Sequence, residues 1–123
     1  MSAFEEYKQM RFYQLSLDLV DLTYEITSNF PQCEKYGLID QMRRASTSVP
    51  SNIAEGSGRD TKKQLFQFLS NAKGSLTELD TQYDIVERRG YSDKVLINEA
   101  RDLIVQISKA MWGFRKWIAN VQH

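Results

Sequence analysis

From residue 62 onward an apolar side chain recurs at alternating spacings of four and three: Leu65, Leu69, Ala72, Leu76, Leu79, Tyr83 and Val86. Such spacings place side chains on one face of a helix, and their persistence predicts a coiled-coil-like seam. Asp60 is positioned to cap this helix and Gly90 to end it. A second long seam, Ile97, Ala100, Ile104, Ile107, Met111, Phe114 and Ile118, predicts a helix that opens at Ser92 with Asp93 in its first turn. Leu15, Leu19, Leu22 and Ile26 predict an earlier helix that stops before Pro31. Leu38, Met42, Ala45, Val49 and Ile53 predict another, ended by Gly56 and Gly58. The expected helices span about 12–29, 37–55, 60–89 and 92–120, after an N-terminal extension over residues 1–11.

Pro50 falls inside the second helix, where it deletes a backbone hydrogen bond and crowds the preceding turn. A kink is expected there, with Ser46 or Ser48 serving the freed backbone groups; two short helices are the alternative. The connections between helices are short, which makes consecutive helices antiparallel neighbours. The predicted fold is all-α: one four-helix bundle with up-down-up-down topology. No sustained two-residue alternation supports a sheet, and there is no internal repeat.

Helix 4 carries more apolar surface than one bundle needs. Beside its seam stand Leu96, Leu103, Ala110 and Trp117, while Val105 and Trp112 project on another side. A bundle helix needs an apolar arc of somewhat over about 100°, so Val105, Trp112 and Trp117 are candidates for contact with another chain. The plainer alternative lays Trp112 on the surface beneath lysine or arginine stems. The row Phe68, Asn71, Ser75, Glu78 and Gln82 beside the seam of helix 3 is mostly polar, and suits either packing against helix 2 or exposure.

Composition narrows the field. Hydrophobic residues make up 41% and charged residues 26% of 123, which suits a folded single domain and not a disordered chain. Sixteen basic and 16 acidic residues cancel, so no global field draws the protein to nucleic acid or anionic lipid. A lone cysteine, Cys33, excludes an intramolecular disulfide and multi-cysteine metal sites. The N-terminal stretch lacks the basic and apolar regions of a signal peptide, and no apolar run reaches about 18 residues; a cytoplasmic location and no membrane partner are expected.

His123 is the only histidine, so no triad or cluster of histidine ligands can form within one chain. There is no phosphate loop and no nucleophile elbow; Gly56-Ser57-Gly58 reads as a helix stop. Glu55 and Glu78 are placed as ion-pair partners of arginine rather than as an acid–base pair. The expectation is a protein that is not an enzyme and takes no metal or cofactor. Between Gln41 and Lys63, Arg43, Arg44, Arg59, Lys62 and Lys63 outnumber Glu55 and Asp60, and form a candidate nucleic-acid patch. Helix 1 has three acids and no base from Phe12 to Asn29, so a charge-matched contact competes for these cations.

The segment from Gln41 to Gly56, QMRRASTSVPSNIAEG, with Gly58-Arg59, the run from Phe66 to Leu79 and Gly90-Tyr91, resembles the family named after reading frames inside intervening sequences of bacterial 23S rRNA genes. The resemblance covers most of the chain from about Phe12. It implies a left-handed four-helix bundle, bacterial origin, a cytoplasmic setting and ring-shaped homopentamers, but no established activity. The family is similar to the accessory protein of diversity-generating retroelements, a basic pentamer that binds nucleic acid and a reverse transcriptase; this chain differs in being charge-neutral. Among motif positions, Arg44, Ser48, Asn52 and Glu55 share one helical face and Glu78 stands in helix 3. They read as a polar band that sets how helix 2 packs, or Arg43 and Arg44 contact phosphate. Two functions follow: a homo-oligomeric structural or adaptor module whose partner is itself or another protein, and an oligomer that binds RNA or DNA.

Overall fold

The computed structural model describes residues 6–121 and, among these, contains four α-helices, two short 3-10 turns and no strand. Helix α1 spans Arg11–Thr27, α2 Leu38–Ser57, α3 Lys62–Arg89 and α4 Lys94–Ala119. The seams read from the sequence form one shared core. Leu19, Met42, Leu79 and Ile97, one from each helix, are all fully buried. Removing such a side chain to alanine costs about 2–5 kcal/mol, through lost transfer energy and the cavity left behind. α1 packs on α2 and α4, and α3 packs on the same two, so each helix has two neighbours around that core.

The ends of the helices differ from expectation for identifiable reasons. α1 stops at Thr27 and not at Asn29, because Asn29 and Phe30 donate to the carbonyls of Ile26 and Thr27, tightening the chain into a turn before Pro31. α3 is capped by Thr61 and not by Asp60: the Thr61 hydroxyl accepts from the Gln64 amide at 3.1 Å. α4 is capped by Asp93, whose carboxylate accepts from the Leu96 amide at 2.9 Å; Ser92 lies before the cap. Gly90 ends α3 with φ of 68°, in the left-handed region. The Gly90 and Tyr91 amides donate to Glu87 and Val86, which closes the helix with the paired bonds of a Schellman motif.

α2 runs unbroken through Pro50, as one helix and not two. The Ser46 and Ser48 hydroxyls donate to the carbonyls of Arg43 and Ala45, both 3.0 Å away, and not to the Ser46 carbonyl, the one that loses its donor at Pro50. α2 also continues through Gly56, which is buried: a β-carbon there would lie 2.9 Å from the Phe68 β-carbon. Gly56 is therefore where α3 approaches α2, and the stop falls to Gly58. Of the expected extension, Tyr7–Gln9 forms a 3-10 turn whose Tyr7 ring stands edge-on to Tyr13 at 5.1 Å; residues 1–5 lie outside the described residues.

Candidate functional site

The five cations between Arg43 and Lys63 fall into two groups. Arg43 and Arg44 lie near the start of α2, and Arg59, Lys62 and Lys63 beyond its end, about 20 Å away along the axis. The Arg43 guanidinium lies over the Tyr24 ring, 4.6 Å from its centroid, and donates to the Thr27 hydroxyl at 2.9 Å. Arg44 pairs with Asp40 at 3.1 Å. Arg59 pairs with Glu55 at 2.8 Å and covers the Phe68 ring at 4.7 Å, on the rim of a cleft of about 560 Å³ that also includes Tyr7 and Ser51. Lys62 donates to the Val121 carbonyl, which ties the start of α3 to the end of α4. Lys63 is exposed.

The polar band is only partly assembled. The Ser48 hydroxyl reaches across to the Ser75 hydroxyl on α3, and the Asn52 amide donates to the Ser48 carbonyl at 2.7 Å. Arg44 and Glu55 leave this line for pairings one turn away along their own helix or just past its end. Glu78 is exposed and accepts from Gln82 at 3.2 Å, while Gln82 is buried, with its carbonyl oxygen unpartnered among the described residues. Ser75 and Gln82 thus pack inward, and Asn71 and Glu78 face water.

Trp112 and Trp117 are each 62% exposed and Val105 47%. Val105 and Trp112 are seven residues apart and share a side of α4; Trp117 lies about 140° around the helix from Trp112. Contacts agree: the Trp117 ring neighbours Phe114, which stacks on Phe12 of α1, whereas Trp112 lines a groove shared with α3. The two tryptophans therefore occupy opposite flanks of one helix.

The groove has a volume of about 330 Å³. Leu69 and Met111 form its floor, Trp112 one wall, and Lys73, Lys109 and Arg115 its rim, with Ser70 and Ser108 between. Arg115 also lies over the Phe66 ring at 4.7 Å. Among the described residues none of the three cations is in an ion pair. Reading cations along the chain missed this surface, since its residues are far apart in sequence, on α3 and on α4. The available signal was negative: residues 61–77 and 103–121 contain Lys62, Lys63, Lys73, Lys109, Arg115 and Lys116 and no acid. Toward the other end of these helices acids dominate, and Arg101 is held by Asp84 and by Glu87, the latter at 3.3 Å.

Among the described residues no group of three or more His, Cys, Asp or Glu is arranged to hold a metal ion, and no helix is long and apolar enough to cross a membrane. His123, the sole histidine, lies outside the described residues. A small four-helix bundle, with no strand among the described residues and with exposed aromatic surface on α4, defines the class. The chain belongs to the 23S rRNA-intervening sequence protein family, whose model matches residues 8–113. No curated protein matches the chain.

Proposed function

We propose that the chain is a non-catalytic, homo-oligomeric module of the cytoplasm, an adaptor or structural element that assembles through the outer surface of α4. The observation that carries this reading is the exposure of two tryptophans on opposite flanks of that helix. Large aromatic side chains at that exposure are characteristic of protein contacts, and two different flanks let each copy offer two different surfaces, the arrangement from which rings are built. A five-membered ring is the form the family resemblance favours. The protomer is read as an antiparallel up-down-up-down, left-handed bundle, bent at Pro50. Supporting the antiparallel order are the pairings of Ser48 with Ser75, Gly56 with Phe68, and Arg101 with Asp84 and Glu87. A second reading, binding of RNA or DNA, is favoured by the acid-free cationic halves of α3 and α4 together with Arg59, and has Arg43 and Arg44 as further candidate contacts.

Light scattering coupled to size-exclusion chromatography, with and without mixed-sequence RNA at low salt, tests both. An assembly unchanged by RNA is the expected result; a monomer at micromolar concentration overturns the oligomer, and a shift with RNA promotes the second reading.

A further inference from the structure

We infer that the groove between α3 and α4 is the docking site for helix α1 of a second copy of this chain, an inference that rests on the homo-oligomeric reading above. Two exposed surfaces of opposite character occur on one molecule. The groove presents an apolar floor and Trp112 beneath a rim of Lys73, Lys109 and Arg115. The outer face of α1 presents the reverse: Leu17 and Tyr24, 37% and 42% exposed, with Asp18, Asp21 and Glu25 among them and no base from residue 12 to 29, although Arg43 of α2 covers the Tyr24 ring at 4.6 Å. Leu17, Asp21 and Tyr24 follow spacings of four and three, so they form one stripe, with Asp18 and Glu25 along its edge. Among the described residues none of these acids and none of the rim cations is in an ion pair.

The match is one of sign, number and kind. Three carboxylates face three cations, and an apolar-aromatic stripe faces an apolar floor with a tryptophan wall. An amphipathic helix laid in a groove is a recurrent recognition mode, with the apolar stripe supplying the anchors and the flanking charges the register. Within one chain the two surfaces cannot meet: α1 packs on α2 and α4 through its other side, which holds its buried residues. Because α1 and the groove are different surfaces, the contact is head to tail, so each copy gives one and receives one. The three acids of one surface and the three bases of the other cancel within each copy, and association strengthens at low salt because the screening length grows from about 3 Å at 1 M to about 10 Å at 0.1 M.

Charge reversal on the full chain provides the test. The groove variant Lys109→Glu with Arg115→Glu and the helix variant Asp21→Lys with Glu25→Lys change exposed positions only, and circular dichroism verifies that each stays folded. By light scattering each is expected to raise the dissociation constant at least about tenfold, and a chain with all four changes to regain the wild-type assembly, since opposite charges again face one another. Wild-type assembly by both reversed variants overturns the docking site while leaving the oligomer standing; a monomeric wild type overturns both. Failure of the fourfold variant to recover overturns the pairing of these two surfaces. Quenching of Trp112 by a single-stranded oligonucleotide, lost in the groove variant, would reassign the groove to nucleic acid.

Discussion

Tyr83 reaches from α3 across the core, and its hydroxyl lies 2.8 Å from that of Thr23 on α1. Burial pushes its pKa up to about 12, against an opposing pull from the Thr23 hydrogen bond. With the folded value above the unfolded value of about 10, its contribution is complete below pH 10 and is lost as the pH rises through about 12, to the extent of about 2–3 kcal/mol. Tyr91, whose hydroxyl donates to Glu34, is raised in the same direction, so the informative readout is the difference between wild type and Tyr83→Phe. That variant should lose about 1 kcal/mol at neutral pH, from the unpaired Thr23 hydroxyl, and show a shallower fall in melting temperature above pH 10. Glycines separate just as clearly. Gly56→Ala forces a β-carbon against Phe68 and Leu65 and is expected to cost about 1–3 kcal/mol by urea denaturation. Gly74→Ala and Gly113→Ala meet open space inside helices and should each gain about 0.5–1 kcal/mol. The sequence marked Gly56 as punctuation; that it is a contact depends on which helix crosses it, and no local pattern carries that.

At the scale of helices, apolar spacing located all four because burial of one face is what makes a short helix stable, and that face leaves a periodic trace. The ends were less legible. A cap is decided by which of two or three adjacent polar side chains can reach an amide, a matter of one backbone dihedral. Thr61→Ala and Asp93→Ala should each lower stability by about 1 kcal/mol in thermal melts, whereas Asp60→Ala and Ser92→Ala should change it by a few tenths at most.

Over the whole molecule, charge follows packing rather than chain order. The cations read as one cluster between Arg43 and Lys63 are parted by the length of α2, and a surface the linear reading did not single out gathers Lys73 of α3 with Lys109 and Arg115 of α4, more than thirty residues further along. If both flanks of α4 carry contacts between copies, Trp112→Ala and Trp117→Ala each weaken association about tenfold or more without unfolding the protomer, as followed by light scattering and circular dichroism. An equimolar mixture of the two variants should stop at small oligomers, because each mixed pair can form only one intact interface.

Local repetition in the sequence thus determined the helices, their inward faces, the surplus of aromatic surface on α4 and, through the motif in α2 and α3, membership of the family. Those properties depend on neighbours a turn or two apart, which spacing records directly. Which glycine is a contact, which arginine is engaged by an aromatic ring, and which lysines share a groove were decided only by the tertiary structure, since each depends on residues that packing brings together from different helices.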